Sequence, residues 1–251
     1  MQGLSAVLIT RNEAHNIVRC LRSVKGLCND VVVVDAESSD ATRALAEAEG
    51  ARVVVRPWTD YSDQKNFANA LALNPWVLSL DADEELSAPL RSALEQAVAR
   101  GLSGAYRVKR LTNYCGSWVR HGGWYPDSKV RLFHRDQARW EGSHVHETLA
   151  LAPGTVVHDL EGDLLHYSYP TLAAHHERIE RYSTLHARKL FAAGKHAGWI
   201  KRWLSPVAKF VQGYFLQFGI LDGRAGWNIA RLSARAVYLK YAKLTALHEA
   251  A

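Results

Sequence analysis

Through the first hundred residues, unbroken apolar runs alternate with segments in which apolar positions recur every three or four residues. LSAVLIT (4–10), DVVVVD (30–35), ARVVVRP (51–57) and PWVLSL (75–80) read as strands covered on both faces. Between them, Asn12 opens a helix whose stripe is Ile17, Cys20, Leu21 and Val24. ESSDATRALAEAEG reads as a Ser/Asp-capped helix closed by Gly50, and YSDQKNFANALAL (61–73) as a third helix. This alternation predicts an α/β fold with a doubly wound, mostly parallel sheet and right-handed crossovers. Ligands of such sheets lie beyond the C-terminal strand ends. Those ends are Thr10–Glu13, Asp35–Ser38 and Asp81–Glu84, and all are polar.

The pattern changes after a helix over 87–100. Strands are expected at 104–110, 128–135, 140–149 and 162–169, with a glycine- and aromatic-rich loop, NYCGSWVRHGGWYPD, over 113–127. Helical periodicity returns at 171–192, 198–220 and 225–247, with Pro206 interrupting or kinking the second stretch. No repeat or low-complexity segment is present. The division predicted is a catalytic domain over 1–170, with halves at about 1–100 and 101–170, followed by a basic helical extension over 171–251.

Composition narrows the classes. With 251 residues, 48% hydrophobic and 22% charged, the chain can bury a large core, which excludes wholesale disorder. No apolar run reaches the ~18 residues of a membrane span. MQGLSAVLITRNE lacks the basic start of a signal peptide, and three cysteines without a CxxC pair fit reduced thiols, so a cytoplasmic protein is expected. The net charge of +6 is concentrated in the tail: residues 171–251 hold 13 Lys/Arg against 4 Asp/Glu. Such a tail calls for an anionic partner, nucleic acid or membrane.

VLSLDADEEL (77–86) sets an acidic cluster against a buried strand. Carboxylates this close require solvent or a cation. Asp81 and Asp83, spaced by the small Ala82, can approach one divalent ion, and hard oxygen donors select Mg²⁺ or Mn²⁺. Glu84 and Glu85 read as a solvated helix start, favourable to the helix dipole.

Taken in order, SAVLITRNEAHNIVRCLRSV, VVVVDAESSDAT, QKNFA and LSLDADE resemble family 2 glycosyltransferases of the GT-A fold. RHGGWYPDSKVRLFHR, VHETL and GDLLHYSY resemble the lipopolysaccharide core β-1,4-glucosyltransferase-like enzymes of that family. The resemblance implies an inverting, metal-dependent transfer from a nucleotide-sugar, UDP-glucose by family, onto a lipid-linked saccharide such as lipopolysaccharide core. Thr10, Arg11, Asn12, Glu13 and Asp35 would line base and ribose; Gln64, Lys65, Asp81 and Ala82 would approach the nucleotide. Asp35 could instead cap a turn, and Lys65 could be a surface lysine. Asp81, Asp83 and His166 would hold the metal. An inverting transfer needs a general base: Glu147 of VHETL is the choice, Asp127 its rival, and Glu147 could otherwise pair with an arginine such as Arg131. Gly122, Gly123, Trp124 and Tyr125 would form an acceptor loop, with Trp124 alternatively a core anchor. His144 and His146 lack the partners of a zinc site.

WIKRWLSPVAKFVQGYFLQF (199–218) interleaves aromatic and basic residues, as in a helix lying in a membrane interface. The expectation is peripheral association with the inner face of the cytoplasmic membrane; helices packed on the catalytic body are the alternative. A sugar nucleotidyltransferase would open with a glycine-rich loop, which ITRNEAHN lacks. No nucleic-acid-binding motif is present, so no nucleic-acid partner is expected. The retained acids count against a catalytically silent transferase fold.

Overall fold

The computed structural model describes residues 3–142 and 147–250. Two compact units divide it. One comprises residues up to 110 together with 127–166; the other comprises 111–126 and 167 onward.

The first unit opens with β1 (Leu4–Thr10), α1 (Ile17–Val24), β2 (Asp30–Asp35), α2 (Thr42–Ala48), β3 (Arg52–Val55), α3 (Tyr61–Leu71) and β4 (Trp76–Asp81). The three-stranded parallel register β3-β2-β1 extends to β4, which also runs parallel to β1. β5 (Glu84–Leu86), α4 (Ala88–Arg100), β6 (Ala105–Tyr114), β7 (Ser117–Val119), β8 (Asp127–His134), β9 (Ala138–Glu141), β10 (Thr148–Leu151) and β11 (Val157–Tyr169) follow. The strand order is β3-β2-β1-β4-β8-β6-β11-β5, with β8 antiparallel to both β4 and β6. The α/β fold is therefore as expected, its parallel half extended by antiparallel strands. Apolar residues of β1, β4, α1 and α4, among them Leu8, Leu80, Ile17 and Leu94, form the main core of the unit.

Several local expectations are corrected. Asn12 does not cap a helix: α1 begins only at Ile17, and Asn12 sits in the left-handed region (φ 55°) that asparagine tolerates. Its amide donates to Ser38 Oγ (2.8 Å), and its side-chain oxygen accepts from Ser39 N–H (2.9 Å). The ends of β1 and β2 are thereby tied together. At α2 the Asp40 carboxylate accepts the N–H of Thr42, the first helical residue (3.0 Å), as the Ser/Asp-capped start anticipated, and Gly50 closes the turn after the helix at φ 88°. Asp60 and Ser87 do cap α3 and α4, accepting from the N–H groups of Asp63 and Leu90. The 140–149 strand resolves into β9 and β10, paired antiparallel; Ser143, His144, Val145 and His146, and with them the HxH motif, lie outside the described residues. Residues 84–86 form a strand and not a helix start.

The second unit carries the end of β6 paired with β7, the last residues of β11, and the helices α5 (Leu172–Ala192), α6 (Trp199–Val211) and α7 (Gly223–Glu249). α6 runs on through Pro206 without interruption and passes into a π turn over Gln212–Leu216 and a 3-10 turn over Gly219–Asp222. Tyr114, Val119, Ala225 and Ile229 form the core of this unit.

Gly162 on β11 has φ 89°, and a β-carbon there would lie 2.3 Å from the Leu90 backbone nitrogen in α4. Gly162→Ala combines strain with a backbone clash, so it should destabilise the fold by about 2 kcal/mol or more in urea denaturation.

Candidate active site

Strand pairing sets Thr10 beside Asp35 and Ile9 beside Asp81, which brings three polar strand ends to one edge of the parallel sheet. Asp35 is fully buried and accepts from the amide (2.8 Å) and hydroxyl (2.5 Å) of Ser38; Arg43 Nε stands 3.8 Å away. Asp35 thus organises the turn after β2. Thr10 Oγ1 is buried and has no hydrogen-bond partner. The Glu13 backbone N–H donates to Thr42 Oγ1 (2.8 Å). Burial pushes its carboxyl above the usual range, against a lowering hydrogen bond from Asn16. Arg11 is exposed, and Ala82 is buried.

α3 delivers Gln64 and Lys65, and neither is a surface residue. Gln64 is fully buried, its Oε1 3.2 Å from Arg56 Nη1. Lys65 is 5% exposed; its Nζ lies 3.2 Å from Asp81 Oδ1, 3.8 Å from Glu147 Oε1 and 4.4 Å above the Trp140 ring. Asn66 bonds both the N–H and the C=O of Trp140, fixing α3 against β9. The lysine is therefore held between two carboxylates and an aromatic face.

β8 contributes an arginine that sequence reasoning considered only as a partner for Glu147. Arg131, 3% exposed, donates from Nη2 to Asp81 Oδ2 (2.7 Å) and Glu84 Oε1 (2.5 Å). Glu84 is fully buried, and its other oxygen accepts the Asp81 amide at 2.9 Å. Its assignment to solvent is thus overturned: it is the anion that compensates Arg131 inside the sheet. Arg110 adds a weaker contact to Glu84 (3.5 Å) and grips Asp127 Oδ2 through Nε (2.9 Å) and Nη2 (2.5 Å), while Lys129 holds Asp127 Oδ1 at 3.0 Å. Burial would raise the carboxyls of Asp81 and Asp127. Arg131 and Lys65 reverse this for Asp81, holding it well below the usual carboxylate range, and Arg110 and Lys129 hold Asp127 below it. The readable signal for Arg131 was a cation inside the buried run VRLF.

Asp83 takes a different partner. β5 pairs antiparallel with β11, placing His166 opposite Glu84, and His166 Nε2 reaches Asp83 Oδ2 at 3.2 Å. His166 Nδ1 is buried without a partner. Among the described residues no group of three His, Cys, Asp or Glu side chains is clustered for a metal. Asp83 with His166 is a two-donor set of oxygen and nitrogen, and it fits an ion that keeps other positions for water or a ligand.

The Gly122–Tyr125 loop belongs to the second unit. Gly122 and Gly123 have φ of 67° and 76°, and a β-carbon on Gly123 would lie 2.7 Å from Gln217 Oε1. Asp222 accepts from the amides of Arg120 (3.2 Å) and His121 (2.8 Å) and pins the loop. Trp124 is half-buried against Tyr114 and Tyr169, with ring centroids 5.9 and 5.3 Å apart.

Replacing Glu84 by glutamine leaves Arg131 short of a buried counter-charge. Glu84→Gln should cost about 3 kcal/mol in chemical denaturation at pH 7. Asp81, with its carboxyl held below 3.8, contributes stability that is complete above that pH and drains away as the pH falls towards its folded value. An acid titration of the wild-type fold should therefore begin its loss below about pH 4.

Residues 5–148 match the family described as Glycosyl transferase family 2. A Rickettsia felis protein named only as an uncharacterized glycosyltransferase is 31% identical over 255 residues, covering 97% of this chain and 90% of its own. The lipopolysaccharide core biosynthesis glycosyltransferase LpsC of Rhizobium meliloti is 29% identical and covers 95% and 93%. Among solved structures, the mannosyltransferase PcManGT of Pyrobaculum calidifontis, in complex with GDP-Man and Mn²⁺, aligns with a TM-score of 0.50 over 96% of this chain and 86% of that one. At 16% identity this is a likeness of fold. On the family match and the full-length relatives, the chain belongs to glycosyltransferase family 2.

Proposed function

We propose that this enzyme is a divalent-cation-dependent, inverting hexosyltransferase that moves a sugar, glucose from UDP-glucose, onto a lipid-linked saccharide of the lipopolysaccharide core type. The observation that carries the reading is the Asp83–His166 pair beside the Asp81–Lys65–Arg131 ion cluster at the end of the parallel sheet. The likeness to LpsC supports the acceptor class.

Thr10, Arg11, Asn12, Glu13 and Asp35 form the wall for base and ribose, at the strand ends where doubly wound sheets take nucleotides. Gln64, Lys65, Asp81 and Ala82 border the diphosphate. Asp83 and His166 hold Mg²⁺ or Mn²⁺, with Asp81 next to them; the bound ion supplies charge neutralisation for the leaving nucleoside diphosphate. Lys65 lends a second fixed positive charge to that region. Glu147 takes the proton from the attacking acceptor hydroxyl. Its carboxylate is 23% exposed and, among the described residues, contacts a single cation at 3.8 Å, so it has lone pairs to offer. Asp127 is a poorer base, because Arg110 and Lys129 engage both its oxygens. Gly122–Tyr125 remain the acceptor loop of this reading.

The acceptor's lipid calls for a membrane-facing surface, and the second unit offers one. α6 buries none of its residues. Trp199 (72%), Trp203 (56%), Leu204 (59%), Leu216 (70%) and Phe218 (61%) are exposed along α6 and the turns after it, with Lys201, Arg202 and Lys209 on the same stretch. Exposed apolar side chains on a stretch that also carries cations fit the headgroup level of an anionic bilayer. No helix of the described residues is long and apolar enough to cross a membrane.

Calorimetric titration with UDP tests the donor site. Wild-type protein should bind UDP with Mn²⁺ present and far more weakly without it, and Asp83→Ala should lose that metal dependence. Glu147→Gln should keep UDP binding yet lose transfer by roughly 10²-fold or more. A larger loss in Asp127→Asn would reassign the base.

Sedimentation with phosphatidylglycerol vesicles tests the surface. The triple substitution Trp199→Ser, Trp203→Ser and Leu216→Ser should weaken vesicle binding by at least about tenfold while leaving the melting temperature close to wild type, since all three side chains are exposed. Undiminished binding would remove this surface from the proposal.

A further inference from the structure

The second unit has an open groove of about 400 Å³ between α5, α7 and the end of β11, apart from every residue assigned above. This volume is within the range of small-molecule sites. Its walls carry Arg178, Lys240, Tyr169, Tyr182, His175 and His186, and no carboxylate among the described residues lines it.

The two cations are held differently. Arg178 donates from Nη1 to Ser168 Oγ (2.9 Å) and from Nη2 to the Ser168 carbonyl (3.4 Å), and its guanidinium carbon lies 4.5 Å from the Tyr169 ring centroid. Five N–H donors in a rigid fork leave others for a ligand. Lys240 Nζ stands 4.2 Å from the Tyr241 ring centroid. Glu180, two residues beyond Arg178, does not neutralise them: it is taken by Lys243 (2.8 Å) and Arg235 (3.6 Å).

His175 sits at the floor, 5% exposed, with Nδ1 2.8 Å from the Tyr114 hydroxyl. Burial, reinforced by the charges of Arg178 and His176, pushes its pKa down to about 4. At neutral pH it is an uncharged polar group, and the positive potential comes from Arg178 and Lys240. Tyr182 adds an aromatic surface of the kind that packs on sugar rings, and Tyr169 backs the Arg178 guanidinium.

We propose that this groove binds an anionic saccharide, a sugar ring bearing a phosphate or carboxylate group, with Arg178 and Lys240 taking the charge and Tyr182 the ring. The site is independent of the donor reading, because binding is measured without nucleotide, metal or turnover. Loss of UDP binding would leave it intact, and its failure would leave the donor site intact.

The test titrates the full-length protein with glucose 6-phosphate and with glucuronate by calorimetry, with glucose and inorganic phosphate as controls. The His175 ring protons are followed by NMR across pH. Both anionic sugars should saturate the site, with glucose and phosphate each at least about tenfold weaker, as charge-assisted bonds and ring contacts are then both needed. A bound anion should also raise the His175 titration midpoint, because it offsets Arg178 and favours the imidazolium. Lys240→Gln should weaken both sugars by about tenfold or more without changing the melting temperature, since the described contact of Lys240 is only with a neighbouring ring. Arg178→Gln should do the same, but it also frees Ser168, so Lys240→Gln decides. The proposal is overturned if neither anionic sugar binds, if Lys240→Gln leaves affinity unchanged, or if inorganic phosphate binds as tightly as the sugar phosphate.

Discussion

Arg131 is the charge on which the end of the parallel sheet depends. A guanidinium inside a strand costs several kcal/mol of lost hydration unless anions surround it closely. Asp81 and Glu84 do so, and Glu84 also takes the Asp81 backbone N–H, so a single carboxylate closes the β4–β5 turn and balances the arginine. The acidic run 81–85 is stable because its members face different partners. Asp81 turns to Lys65 and Arg131, Asp83 to His166, and Glu84 into the sheet. Two carboxylates one residue apart thereby avoid each other. One is committed to the protein's own cations, and the other stands beside an imidazole.

The same cations separate the two carboxylates considered as base. Asp127 starts β8 across from Arg110 on β6, a register that forces a bidentate grip on one oxygen, and Lys129 two residues on claims the other. An acid so paired is stabilised as an anion and gains little from accepting a proton. Among the described residues, Glu147 meets Lys65 alone, at a distance longer than a hydrogen bond. Lys65 thus touches both a carboxylate at the end of β4 and one just before β10, so displacing it would disturb two roles at once.

The fold of the first unit was legible because buried parallel strands write themselves as apolar runs, and Val32, Val33, Leu78 and Leu80 leave no ambiguity of period. Loop chemistry was less so. Asn12 looks like a cap, yet its left-handed backbone and bonds to Ser38 and Ser39 depend on β2 lying alongside β1, a non-local fact. Glu84 was misread for the same reason. Adjacent acids look solvated in one dimension, and only the pairing of β8 beside β4 brings Arg131, 47 residues later, into contact. Asp81 and Asp83 stood out at a strand end and His166 came from the family resemblance, while the Asp83–His166 contact rests on β11 pairing with the three-residue β5.

In the second unit the difficulty is of another kind. Its aromatic residues serve two environments that share one composition. Tyr114, Trp124, Tyr169 and His175 meet edge-on or tilted, with centroids 4.7–6.4 Å apart, in a packed cluster. Trp199, Trp203, Phe215 and Phe218 stay more than half exposed. Hydropathy cannot divide these sets, because each lies on segments that also carry Lys and Arg. What divides them is the neighbour. The first set closes on the β6–β7 turn and α5, where the Tyr114 hydroxyl finds His175. Trp203 instead meets Tyr238 of α7 at 5.3 Å and Arg202 at 5.8 Å, and stays 56% exposed. A ring left so exposed has apolar area still in water, and an external apolar phase can cover it.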